Sequence, residues 1–186
     1  MVKYLSEREI NSLLSIIDNI EDKCLITLGI DSGGRVSEIV GILTSNIDYE
    51  SQVIKIWDEK KDIWREWVVT SPTVQLIRMY LNSRSKKSPE LFPFTYKTAN
   101  RRLKKWCKVS GIAQHKAHWH TLRHTYIVQS RMKERDIKAV QQQTGDSLLT
   151  LLRIYSNLSN EDRLKISEAK PILPEGLELI HKGGCR

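Results

Sequence analysis

Apolar residues return every three or four positions through most of this chain and shift to a strand-like pattern in one region only. Ile10, Leu13, Leu14 and Ile17 share a helical face behind Ser6-x-x-Glu9, a capping box, and predict a helix over about 7–18. Residues 22–30 (DKCLITLGI) predict a second, largely buried helix that stops at Asp31-Ser-Gly-Gly, where two glycines allow a tight turn. A third helix is expected to start near Arg35 and to carry Val36, Ile39, Val40 and Leu43. Glu38, one turn on, is placed to hold the Arg35 guanidinium.

The pattern then changes. Residues 52–57 (QVIKIW) and 63–69 (IWREWVV) are rich in β-branched and aromatic side chains and flank a polar turn, which predicts a β-hairpin packed through Trp57, Trp64 and Trp67. Ser71-Pro72 reads as an N-cap and first helical residue, opening a helix to about Asn82. Thr95 caps a strongly basic helix closed by Gly111. Helices are expected over 121–133 and 135–143, from Ser147 to Tyr155, and from Ser159 to before Pro171. Residues 171–186 (PILPEGLELIHKGGCR) leave helical periodicity, as a strand-like arm or a frayed tail. The fold class is therefore α+β, mostly helical with a small antiparallel hairpin or sheet, with one domain over 1–170 and an arm or tail over 171–186.

Composition narrows the setting. The 186 residues suit one domain with a real core, and no apolar run approaches the ~20 residues that span a bilayer. MVKYLSEREI lacks the apolar stretch of a signal peptide, so a cytoplasmic location without membrane contact is expected. Cys24, Cys107 and Cys185 are scattered, with no C-x-x-C pair, which argues against a disulfide framework. A net charge of +8 favours polyanionic partners. The charge is also clumped, at Lys60-Lys61, Arg84 to Lys87, Arg101 to Lys108 and Arg131 to Arg135, as a DNA-facing surface requires.

The candidate chemistry lies between His118 and Tyr155. One end carries His120-x-x-Arg123-His124 and the other a tyrosine after an apolar run, with Thr144-Gly-Asp-Ser between them. Arg35, upstream behind its glycine turn, supplies a second guanidinium. Two arginines, a histidine and a tyrosine suit chemistry on a phosphodiester. Guanidiniums bind the non-bridging oxygens bidentately and tighten as charge builds in the transition state. Lysine can give up a proton, which guanidinium essentially cannot. A zinc site at His115, His118, His120 and His124 is the rival chemistry, but Thr121 stands where a His-Glu-x-x-His glutamate belongs. Tyr126 is the rival nucleophile.

The order Gly-x-Arg-x-Ser-Glu, hairpin with lysine in its turn, His-x-Leu-Arg-His, Thr-Gly-x-Ser, then tyrosine resembles the catalytic domain of the tyrosine recombinases, the phage-integrase and Xer/Cre group. The resemblance covers about residues 4–165. It implies that Arg35, Arg123 and His120 grip the scissile phosphate, that Lys60 or Lys61 is the general acid, and that Tyr155 forms a 3′-phosphotyrosyl link. His124 would support the site. No cofactor or metal is needed, since the phosphotyrosine conserves the energy of the broken strand. Double-stranded DNA and a tetramer on DNA are the implied partners.

Two departures matter. Asp146 stands where the family usually has His or Trp, so it is protonated, turned to hold an arginine, or a mark of impaired catalysis. The first helix also starts near Met1, so the N-terminal DNA-clamping domain is expected to be absent from this chain. A site-specific recombinase or integrase, of a mobile element or virus more than a chromosome resolvase, is the expected function. A DNA-binding module without catalysis and a topoisomerase IB-like relaxing activity are the alternatives.

Overall fold

A computed structural model describes residues 2–169; the expected arm or tail at 171–186 lies outside the described residues. Ser6 and Glu9 close the capping box ahead of α1 (Glu7–Ile16), and the Asn19 side chain caps α2 (Ile20–Ser32). Leu25, Ile26, Leu28 and Ser32 of α2 are fully buried, with Asp22, Cys24 and Gly29 also buried. A helix covered on all faces belongs at the centre. After Gly33 come α3 (Val36–Val40), β1 (Ile47–Asp48), β2 (Val53–Asp58) and β3 (Ile63–Val68). The third helix stops before Leu43, which instead forms an isolated bridge with Glu90.

The strands form one antiparallel sheet in the order β1-β2-β3, with Trp57 opposite Trp64 and Asp58 opposite Ile63. β1 is a strand the sequence pattern missed; two residues are too short for a period to show. Trp67 is fully buried, while Trp57 and Trp64 make an edge-to-face pair, centroids 5.4 Å apart, on the outer face.

Next comes α4 (Ser71–Ser83), whose cap is Thr70 and not Ser71. Asp31 decides this: its Oδ2 accepts from the Thr70 N–H and hydroxyl and from the Thr73 hydroxyl, at 2.7, 3.0 and 2.7 Å. The basic helix is α5 (Tyr96–Val109), and α6 (Trp119–Met132), α7 (Ile137–Thr144), α8 (Leu148–Ser156) and α9 (Asn160–Ala169) follow. α2 packs against α4 and α6, and α7 lies along β3. The main core gathers α1 to α5, the sheet and the start of α6 through Trp119 and Leu122; a second apolar cluster of Tyr126, Ile127, Val128, Val140, Leu151 and Ile154 joins α6, α7 and α8. None of the described helices is long and apolar enough to cross a membrane.

Not all of the basic run on α5 faces solvent. Arg102 turns inward to pair with Glu21 and Asp22 and lies over the Phe94 ring, while Lys97, Arg101, Lys104, Lys105 and Lys108 are exposed.

Candidate active site

Gly33 ends α2 in the left-handed conformation (φ 63°). Gly34 lies so close to the Trp67 indole that a Cβ there would come within 2.2 Å of the ring. This tight turn sets Arg35 at the start of α3, where its own N–H donates to Glu38 Oε2 (2.7 Å) and its Nη1 to Glu38 Oε1 (2.8 Å). The expected Arg35–Glu38 contact therefore forms. Asp58, at the end of β2, lies 3.5 Å from the same Nη1. Burial works against the Arg35 charge, but the carboxylates of Glu38, Asp58 and Asp146 outweigh it and raise its pKa.

Arg123 comes from α6 and is buried, at 2 % exposure. Its Nη1 donates to the Gly33 carbonyl (2.9 Å) and its Nη2 to the Thr144 carbonyl (2.6 Å). The remaining edge faces Asp146: Nε donates to Oδ2 at 3.1 Å, and Nη2 lies 2.7 Å from Oδ1. Arg35 Nη2 reaches the same Oδ1 at 3.7 Å. Both arginines thus converge on one carboxylate, and Asp146 is turned toward them.

The hairpin turn delivers a lysine. Lys61 Nζ donates to the Gly145 carbonyl at 2.7 Å; the side chains of Lys60 and Lys61 are both largely exposed, and it is this contact that sets Lys61 apart. Gly145 ends α7 with φ 71°, and a Cβ there would meet the Arg65 guanidinium at 2.7 Å. Only glycine suits both the backbone and the contact.

Arg65 is the residue that sequence reasoning missed. From β3 it donates to Asp58 Oδ2 (2.9 Å), Glu38 Oε1 (2.6 Å) and the Gln143 carbonyl (3.0 Å). It braces the two carboxylates that hold Arg35 and caps the end of α7. Its neighbours Trp64 and Glu66 are exposed, so position in a strand gave a signal of burial at most, and no signal of these partners. Asp58 is held below the usual carboxylate range: burial pushes it up, but Arg65 and Arg35 outweigh that.

His120 stands in the first turn of α6, three residues before Arg123, with its ring edge-to-face on His124 (centroids 4.4 Å). Burial and then Arg123 lower the His120 pKa; Asp146 pulls the other way, and Arg35 adds a smaller lowering. These surroundings favour the neutral imidazole, the form able to take a proton. Among the described residues no group of His, Cys, Asp or Glu is arranged to hold a metal ion.

Tyr155, near the end of α8, stands apart from this cluster. It packs on the second apolar cluster, and its buried hydroxyl makes no hydrogen bond. Burial raises its pKa, and the charged or titrating groups that act on it are Arg131 and Tyr126. Tyr126 is 8 % exposed and its hydroxyl accepts from Arg135 Nη1 at 3.2 Å.

The model of the phage integrase family matches residues 3–162, most of the chain. The chain belongs to the phage integrase family. Among its family relatives, tyrosine recombinase XerA of Saccharolobus solfataricus is 30% identical over 161 residues, covering 87% of this chain and 54% of the relative. Tyrosine recombinase XerD of Proteus mirabilis is 29% identical over 181 residues, 88% of this chain and 57% of the relative. The chain thus spans little more than half the length of these curated relatives. The crystal structure of XerA recombinase superposes with a TM-score of 0.81 at 25% identity, over 92% of this chain and 66% of that one. XerH bound to its difH substrate superposes with a TM-score of 0.71 at 20% identity, over 91% of this chain and 54% of that one, a likeness of fold. The mostly helical fold with a small antiparallel sheet is that of the tyrosine recombinase catalytic domain.

Proposed function

We propose that this phage integrase family chain is the catalytic portion of a site-specific DNA recombinase that cleaves and rejoins double-stranded DNA through a 3′-phosphotyrosyl intermediate. One observation carries this: Arg35 and Arg123, from elements far apart in sequence, converge on a single anion, with Lys61 and His120 beside them. A phosphodiester is an anion of that kind, and guanidiniums are suited to bind it.

In the proposed reaction the two guanidiniums neutralise the non-bridging oxygens of the scissile phosphate. The Tyr155 oxygen attacks phosphorus while its proton passes to His120 or solvent. The bond to the 5′-oxygen breaks, and Lys61 gives that oxygen a proton, leaving a free 5′-hydroxyl. Rejoining runs the steps in reverse, and strand exchange between two duplexes follows when the incoming 5′-hydroxyl comes from the partner. Tyr155 must leave its apolar packing to reach phosphorus, and duplex binding in a tetramer is the proposed occasion.

The experiment is covalent trapping on nicked suicide duplexes. A denaturant-resistant protein–DNA band in wild type, lost in Tyr155→Phe, is the expected result. Duplex binding with no band in either protein would favour a DNA-binding module of the same fold, which Asp146 and the stowed Tyr155 make the second reading. Relaxation of supercoils without strand exchange would point to topoisomerase IB-like activity.

A further inference from the structure

We propose that Asp146 is a built-in occupant of the phosphate seat, a carboxylate that neutralises both arginines at rest and must swing out for DNA to enter; this rests on the recombinase reading above.

Donor accounting on Arg123 is the first support. A guanidinium has five N–H groups. Nη1 is anchored on the Gly33 carbonyl and Nη2 on the Thr144 carbonyl, and these two bonds orient the group without help from Asp146. What Asp146 takes is the Nε/Nη2 edge, at 3.1 and 2.7 Å. That edge is one on which a guanidinium binds a phosphate through two parallel hydrogen bonds. The carboxylate is thus a stand-in for the substrate anion more than a strut.

Access is the second. The Arg123 side chain is 2% exposed and Asp146 is 14% exposed, while Arg35 is 32% exposed and faces the same Oδ1. The Asp146 carboxylate is therefore the more open member of its pair with Arg123. A phosphodiester bound by both arginines would lie against this carboxylate, and two anions at contact distance in a partly buried site repel strongly. Asp146 and the scissile phosphate exclude each other.

The third is freedom to move. Asp146 lies between Gly145 and Ser147, whose side chain caps α8, the helix that carries Tyr155. Among the described residues, the Asp146 carboxylate is paired with the two arginines. The Tyr155 hydroxyl, on the same short segment, has no hydrogen bond to lose. An incoming phosphate that displaces Asp146 would therefore act on the segment that leads directly to the nucleophile.

The test compares wild type with Asp146→Asn, which keeps size and removes charge. Two readouts are taken: affinity for inorganic phosphate and for a 30-base-pair duplex (a length of about three helical turns), and single-turnover adduct formation on suicide duplexes. Asp146→Asn is expected to bind both ligands about tenfold tighter and to form adduct at least tenfold faster. Unchanged affinity overturns the proposal. So does a slower adduct at unchanged affinity, which would make Asp146 a positioning residue for Arg123. Tighter phosphate binding with no adduct in either protein would keep the seat and sink the cleavage reading, so the two failures are separable. Should the variant fail to fold, the wild type decides: the Asp146 carboxyl 13C resonance must shift as inorganic phosphate saturates the protein, and a static resonance overturns the proposal.

Discussion

Lys61 Nζ donates to the Gly145 carbonyl at 2.7 Å, joining the hairpin turn to the end of α7 across 84 positions of sequence. The contact places one ammonium, and not its neighbour Lys60, against the loop that carries Asp146. If Lys61 is the general acid, Lys61→Met lowers the cleavage rate by about 10²–10³, within the range for acid–base groups. Lys60→Met changes it by less than about threefold, as for an exposed side chain. A duplex with sulfur at the 5′-bridging position, whose thiolate leaves without a proton, restores the rate to Lys61→Met. Failure of that rescue would remove Lys61 from the acid role.

Arg65 sets the second prediction. Removing it leaves Glu38 and Asp58 buried beside each other with Arg35 as their one cationic partner among the described residues. Arg65→Met is expected to destabilise the fold by about 3 kcal/mol, the scale for breaking a buried charge network by deleting one partner. Denaturant titration measures it. Arg65→Lys keeps the charge but not the fork that serves two carboxylates and a carbonyl, and should recover less than half of the loss.

The unpartnered hydroxyl of Tyr155 predicts a stability gain where activity is lost. A buried donor without an acceptor costs about 1–3 kcal/mol, so Tyr155→Phe should be more stable than wild type by about 1 kcal/mol while forming no adduct. A destabilised Tyr155→Phe would mean that the hydroxyl has a partner in solution.

Acid should weaken the fold through the histidine pair. Burial lowers the pKa of both His120 and His124, and His120 lowers that of His124 further. The unfolded chain takes up its histidine protons near the ordinary value of about 6.5, and the folded chain only below it. Between those values the unfolded state binds more protons, so stability falls as pH drops through about 6.5 toward the depressed values. Melting temperatures at pH 7.5 and 5.5 should differ, and His120→Gln with His124→Gln should shrink the difference. Carboxylates with lowered pKa, such as Glu9 and Asp162, add their own loss at more acid pH.

Much of the fold was legible because local signals agreed. The Ser6 capping box, the glycines after α2 and α7, and the β-branched run of β2 each act over a few residues, and each appears close to where the sequence places it. The order of Arg35, His120, Arg123 and Tyr155 was readable for the same reason. The α4 cap was not, because Asp31 lies 39 positions from Thr70.

What the sequence determined by itself was most of the helices, the β2–β3 hairpin and the family: periodicity, caps and glycine turns are short-range, and the motifs survive as strings of residues. Tertiary structure alone decided which charges meet. It tied Lys61 to the Gly145 carbonyl, brought in Arg65 from β3, put Asp146 between two arginines and packed Tyr155 on an apolar cluster with its hydroxyl unpartnered. Each of these is a contact of a few ångströms between residues far apart in the chain or on separate elements. Such contacts are fixed by how helices and strands pack, and no local pattern encodes them.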